Sequence, residues 1–374
     1  MNIKRLALAF ALLAVPALTV AACGNDSSSA GSGGSGGSGT QTAQIGGTLN
    51  GAGATFPQPV YQEWAAGFKD KYGTTVNYQG VGSGEGIAQF TNKTVDFGAT
   101  DAAMTDEELA AAKKNGEPVH IPTVLGAVTA SYNVKGVAKG LKLDGATLAD
   151  IFLGKVKTWN DPAIAKLNSG ANLPSSNITV CHRSDESGTT KNFTAFLSAY
   201  SKAWESGPGS DKSVDWPTGT GAKGNDGVAA CIKQNDGAIG YVEQAYALAN
   251  NFTYASVKNK AGNFVEPTLD ATAAAADGVK VPADLRFATI DSPGSRAYPM
   301  AAVTFLLVYK DVCKAGADQN KAKALKAWLQ YGQGEGQDVA KQLQYAPLPT
   351  ALKEKAAKKV DGLTCNGQAI QTGA

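Results

Sequence analysis

Two apolar, strand-like runs, at residues 119–132 and 300–310, are long beside the about five or six residues of an ordinary strand, and they lie far apart in the chain. Paired runs of this kind predict a chain that crosses twice between two lobes. Lobe I then holds both ends of the folded region, residues 48–127 plus 301–374, and lobe II takes residues 128–300. The length beyond residue 47 exceeds what one core usually supports, which agrees with two lobes. Shorter strand-like runs at 47–50, 75–79, 95–98, 178–182 and 238–242 alternate with helix-like runs at 57–72, 86–92, 105–115, 189–203, 226–234 and 321–331. This alternation predicts an α/β fold with mostly parallel sheets. Ligands of such folds sit at the C-terminal ends of the strands, here in a cleft between the lobes.

The first 22 residues read as a secretion signal. Lys4 and Arg5 precede an apolar run from Leu6 to Val20 that is too short to span a bilayer comfortably. It ends in Val20-Ala21-Ala22-Cys23, small residues before a cysteine that resemble a bacterial lipobox, so Cys23 is expected to be lipidated and to become the new N-terminus. Residues 23–47 then form a Gly/Ser-rich tether with Asp26 as its only charge, reaching about 27 Å on average as a flexible coil. The expected address is the extracytoplasmic face of the cell membrane.

The chain has 34 Lys and Arg against 32 Asp and Glu, and the two sets become equal once Lys4 and Arg5 leave with the signal. Basic residues are scattered without interleaved aromatics, which argues against nucleic-acid binding. Four cysteines remain, Cys181, Cys231, Cys313 and Cys365, in an oxidising compartment where disulfides are the default and three connectivities are open. Cys181 with Cys231 and Cys313 with Cys365 is favoured, because each pair then stays within one lobe. With only His120 and His182 and no CxxC spacing, no metal site and no cofactor is expected.

Three polar turns carry the chemistry: GAGATFP at 51–57, GSGEG at 82–86 and RSDESGTT at 183–190. Each places small residues, hydroxyls and backbone N–H groups where a helix pattern begins, the arrangement that receives an oxyanion. In the first, Thr55 offers a hydroxyl beside the N–H of Phe56, and Pro57 suits a helix start. In the second, Ser83 reads as a helix N-cap. In the third, Arg183 can clamp two anion oxygens, Asp185 can hold its guanidinium, and Ser187, Gly188 and Thr189 open the next helix. Asp101, in VDFGATD, selects among anions. Its carboxylate repels a fully ionised ligand but accepts a hydrogen bond from one that keeps a proton, as phosphate does at neutral pH and sulfate does not. The other Gly-rich stretch, Gly219 to Gly224, reads as a loop, and His120 as structural.

These motifs in this order, with VNYQGVGSGEG, LGKVKTWND, GNDG and GAIGYVE, resemble the phosphate-binding proteins of bacterial phosphate-specific ABC transporters from about Leu49 to Pro349. The resemblance implies a two-lobed periplasmic-binding-protein-like fold of type II. It also implies a phosphate site of Thr55, Phe56, Ser83, Asp101, Arg183, Ser187, Gly188 and Thr189 with Asp185 behind Arg183. A monomer that delivers inorganic phosphate to membrane permease subunits follows from it. His182 stands where family members commonly carry a basic residue. The competing readings are a secreted phosphatase or hydrolase, and the same fold with sulfate, molybdate or phosphonate. Val81 breaks the GxSxG elbow around Ser83, and the chain lacks the His and acidic ligands of a metallophosphatase.

Overall fold

The computed structural model describes residues 44–372 apart from Ala138, so the signal, Cys23 and most of the tether lie outside the described residues. Nine strands form one sheet: β1 (Thr48–Gly53), β2 (Thr75–Gly80), β3 (Phe97–Thr100), β4 (Pro118–Asn133), β5 (Thr179–Arg183), β6 (Thr220–Ala222), β7 (Ala238–Glu243), β8 (Thr253–Tyr254) and β9 (Ala301–Tyr309). Their order is β2-β1-β3-β9-β4-β7-β5-β6, with β8 also paired to β4. Strands β1 to β3 pair in parallel, as do β5, β6 and β7, while β9 and β4 run antiparallel to their neighbours in the middle.

The 16-residue β4 joins the two halves of this sheet. Its first part pairs with β9, from Pro118 opposite Tyr309 to Ala127 opposite Ala301, and its second part pairs with β7, from Val128 opposite Glu243 to Asn133 opposite Ala238. Strand β9 begins at that junction and pairs only within the first half. The chain therefore returns to the first half through the segment before Ala301, whose Phe287 packs with Leu125, Val303, Phe305 and Leu348.

Helices follow the strands and cover them. In α1 (Gln58–Tyr72) the apolar residues Val60, Tyr61, Trp64, Phe68 and Tyr72 recur every three or four positions and all are buried, while Gly73 ends the helix at φ 68°. Trp64 and Phe68 meet Trp328 of α6 (Gln319–Gln333) at ring-centroid distances of 6.0 and 5.4 Å. Burying each such side chain contributes about 1.5–3 kcal/mol. The other helices that matter to the site are α2 (Ser83–Thr91), α3 (Asp106–Lys113), α4 (Gly188–Tyr200) and α5 (Gly224–Gln234).

Cys181 is bonded to Cys231 and Cys313 to Cys365, with Cα separations of 6.0 and 4.7 Å. The first bond ties β5 to α5, the two elements that bring Arg183 and Asn225 to the cleft; the second ties the segment after β9 to a C-terminal hairpin. Replacing Cys181 and Cys231 together with serine is expected to lower stability by about 2–4 kcal/mol. Urea unfolding under non-reducing conditions reads this directly, and an unchanged midpoint would mean that the bond adds nothing.

Candidate oxyanion site

The parallel strands point their C-terminal ends at one place, and the three polar turns meet there. From the first half come the β1–α1 turn with Thr55 and Phe56, the start of α2 with Ser83, and Asp101 just beyond β3. From the second half come Arg183 at the end of β5 and the Ser187-Gly188-Thr189 start of α4. All eight residues are buried, Asp101 at 2% exposure and Arg183 at 3%.

The hydrogen-bond count gives the site its character. Ser83 Oγ accepts from the N–H of Gly188 at 3.0 Å and the N–H of Asp101 at 3.3 Å. Thr55 Oγ1 accepts from the backbone N–H and the side-chain amide of Asn225 at 3.1 and 2.8 Å. A hydroxyl has two lone pairs and one hydrogen. Both lone pairs of each are engaged, so Ser83 and Thr55 can only donate further. Asn225 is fixed in this orientation because its Oδ1 accepts the N–H of Glu243 at 2.9 Å, and its amide also reaches Thr189 Oγ1 at 3.3 Å.

Arg183 adds the charged donors. Its Nε and Nη2 grip the Oδ1 and Oδ2 of Asp185 at 2.7 and 2.5 Å, and Asp185 Oδ1 also accepts the N–H of Gly224 at 3.0 Å. Burial pushes the Asp185 pKa upward, but the hydrogen bonds and charge of Arg183 outweigh it and hold the carboxyl below its usual value. The remaining Arg183 Nη1 is buried with no protein partner. A guanidinium nitrogen left unpaired inside a protein is costly, and an anion at this place satisfies it.

Besides Asp185, which is taken up by Arg183, Asp101 is the carboxylate that faces these donors. Burial raises its pKa to about 7 against the opposing hydrogen bond from Thr304, the charge of Arg183 and a hydrogen bond with Ser83. Thr304 Oγ1 donates to Asp101 Oδ1 at 2.8 Å, which leaves Oδ2 to accept from a ligand. The site therefore combines hydroxyl, guanidinium and helix-terminal N–H donors with a single acceptor. A tetrahedral oxyanion that retains one proton matches that pattern.

Two glycines let the turns approach one another. A Cβ on Gly188 would stand 2.6 Å from Ser83 Oγ and 2.7 Å from Asp101 Cβ, and Gly82, at φ 103°, would put a Cβ 2.6 Å from Asp185 Oδ2. Gly188→Ala is thus expected to push α4 away from Ser83 and to weaken anion binding about tenfold or more, since overpacking costs about 1–3 kcal/mol. Unchanged affinity in a titration would show that this approach is unimportant. Between the halves, the Lys212 ammonium reaches Glu108 of α3 at 2.5 Å, while the Lys212 carbonyl accepts the N–H of Ser187 at 2.9 Å.

Two expectations from the sequence need correction. Ser83 is not the N-cap of α2, because Gly82 takes that position and Ser83 is the first helical residue, its hydroxyl turned to Asp101 and Gly188. The stretch from Gly219 to Gly224 is not simply a loop: Thr220–Ala222 is edge strand β6, and α5 starts at Gly224 with its N–H on Asp185. Asn225 and Thr304 had no role assigned from sequence. His120 is neutral and structural, its pKa lowered to about 4 by burial and by Arg286, with Nε2 accepting the N–H of Met104 at 3.1 Å. His182 stacks on Trp216, and its pKa is lowered by burial. Ser187 caps α4 by accepting the N–H of Thr190 at 3.1 Å. Among the described residues, no cluster of His, Cys, Asp or Glu is arranged to hold a metal.

Residues 38–334 match the PBP superfamily domain. The chain is 43% identical over 311 residues to the phosphate-binding protein PstS of Pasteurella multocida, covering 82% of this chain and 88% of that one. It is 36% identical over 378 residues to the phosphate-binding protein PstS 3 of Mycobacterium tuberculosis, covering 97% and 100%. Its fold resembles that of a high affinity periplasmic phosphate-binding protein (PfluDING) bound with phosphate, at TM-score 0.70 and 26% identity over 87% of this chain and 96% of that one. With these matches over most of its length, the chain belongs to the PstS family of phosphate-binding proteins within the PBP superfamily.

Proposed function

We propose that this protein is an extracytoplasmic receptor that encloses one inorganic phosphate between its two lobes and hands it to the permease of an ABC importer. The observation that carries this reading is the donor-rich pocket with one acceptor: Arg183 Nη1 buried and unpaired, two hydroxyls able only to donate, and Asp101 with one free oxygen. Thr55, Phe56, Ser83, Arg183, Ser187, Gly188 and Thr189 are the proposed donors to phosphate, Asp101 accepts its proton, and Asp185 positions Arg183. The phosphate-bound relative of similar fold supports the ligand.

Lobe I is proposed as residues 48–127 plus 301–374 and lobe II as 128–300, with closure about β4. Contacts that span the cleft support this division: Gly188 to Ser83, Asn225 to Thr55, Lys212 to Glu108, and the N–H of Gly84 to the carbonyl of Glu186 at 3.1 Å. Lipidation at Cys23 would keep the receptor beside its permease, and none of the described helices is long and apolar enough to cross a membrane.

The test is to denature the purified mature protein and assay the released phosphate, and separately to offer the native protein a phosphate monoester. One phosphate per chain and no turnover is the expected result. Hydrolysis of the ester would replace the receptor reading with an enzyme, and a protein that neither carries nor takes up phosphate would refute the ligand.

A further inference from the structure

Behind the proposed anion site, Glu243 at the end of β7 is a buried carboxyl that no cation faces among its closest partners. It is fully shielded from solvent. Its Oε2 accepts the N–H of Ala245 at 2.8 Å and lies 2.7 Å from the hydroxyl oxygen of Tyr345, and its Oε1 is buried without a partner. The same Tyr345 hydroxyl lies 2.7 Å from the carbonyl oxygen of Phe56. One phenolic hydrogen thus stands between two oxygens. A carbonyl can only accept, and an ionised carboxylate can only accept.

If Glu243 were ionised, one of the two contacts would set lone pair against lone pair at hydrogen-bond distance, and the buried Oε1 would carry charge without a hydrogen-bond partner. A proton on Oε2 resolves both. The carboxyl donates to the Tyr345 oxygen, Tyr345 donates its own hydrogen to the Phe56 carbonyl, and Oε1 becomes a neutral acceptor whose missing bond costs far less. We infer that Glu243 holds a proton at neutral pH and acts through Tyr345 as a positioning residue for the Thr55–Phe56 turn of the oxyanion site. This rests on the assignment of that turn to the phosphate site.

The surrounding groups agree. Burial drives the Glu243 pKa well above the usual carboxylate range over the opposing hydrogen bonds from Tyr345 and the N–H groups of Ala245 and Gln244, and the negative charge of Asp101 adds to it. Tyr345 and Tyr246 are themselves raised by burial, so both hydroxyls keep their hydrogens. Tyr246 donates to the Thr55 carbonyl at 2.5 Å, so two tyrosines hold consecutive carbonyls of the turn. Glu243 and Tyr246 lie in the second half of the sequence pattern, whereas Phe56 and Tyr345 lie in the first and last segments. The proton therefore fastens the turn across the junction where Val128 meets Glu243.

Infrared difference spectroscopy of the mature protein against Glu243→Gln, both in the Asp101→Asn background so that Asp101 cannot contribute, reads the proton without reference to any ligand. A neutral carboxylic acid carbonyl stretch at pH 8 that disappears in the Glu243→Gln protein is expected; its absence would overturn the protonation. Phosphate titration of otherwise wild-type variants reads the positioning. Tyr345→Phe is expected to lose about tenfold or more in affinity and Glu243→Ala a similar amount, while Glu243→Gln, whose amide can donate to Tyr345 only by giving up the bond from the N–H of Ala245, should fall between wild type and Glu243→Ala. Wild-type affinity in Tyr345→Phe would overturn the positioning role, and a wild-type protein that takes no phosphate would instead remove the site assignment itself.

Discussion

Asp101→Asn is expected to turn a phosphate-selective site into one that also binds sulfate. Asp185 is taken up by Arg183, which leaves Asp101 as the carboxylate facing Ser83 and the unpaired nitrogen of Arg183, matched to the proton that phosphate keeps and sulfate lacks. Sites built around such a hydrogen bond reject a ligand without the partner by about 10^4-fold. Asparagine removes the repulsive charge and offers an N–H, so most of that factor should vanish, chiefly through a gain in sulfate affinity. Competition titration of phosphate against sulfate measures it, and a variant that still ignores sulfate would contradict the role of Asp101.

The same substitution has a stability consequence with a definite sign. The Asp101 pKa rises from 3.8 to about 7 on folding, so its contribution to stability is full below the unfolded value and is lost as pH rises through the folded one. Anion-free Asp101→Asn should therefore melt higher than wild type at pH 8, by roughly 5 °C, and no higher at pH 4. An equal difference at both pH values would mean that burial does not raise the Asp101 pKa.

Arg183→Ala is expected to reduce phosphate affinity about 10- to 100-fold or more, since a hydrogen bond to a charged group is worth about 1.5–3 kcal/mol and the arginine presents its only unpaired nitrogen here. It also leaves the half-buried Asp185 beside the Gly224 N–H without its cation, so a drop in melting temperature should accompany the loss. Asp185→Asn separates the effects. It keeps the charge of Arg183 and loosens only its orientation, so it should cost less affinity than Arg183→Ala. Equal losses would mean that orientation, rather than charge, sets the affinity.

How much of this was legible from residues alone depended on whether the information was local. The long run read at 119–132 is β4, Pro118–Asn133, because a stretch without a charged side chain and rich in Val, Ile and Thr admits little else. The three polar turns do converge, since each follows a parallel strand whose C-terminal end faces the cleft. Helices Gly145–Phe152, Gly336–Gln342 and Thr350–Asp361 were not anticipated; they are held by packing against neighbours as much as by their own sequence. Thr304 illustrates what is not local. In the sequence it is one more residue of an apolar strand, and only the antiparallel register that sets Phe305 opposite Thr100 brings its hydroxyl to Asp101. Asn225 had a signal in GNDG, but its task of filling the lone pairs of Thr55 depends on α5 starting at Gly224. The Gly82 conformation at φ 103° displaced Ser83 from the cap, and a Gly-Ser pair gives no means of choosing between the two.

The most direct test of the central claim is calorimetric titration of the mature protein, stripped of bound anion, with phosphate and then with sulfate at neutral pH. One tight phosphate per chain and no sulfate heat is the predicted result. Sulfate binding comparable to phosphate would contradict the account, because a site of many donors and one carboxylate acceptor should not hold an anion that has no proton to give.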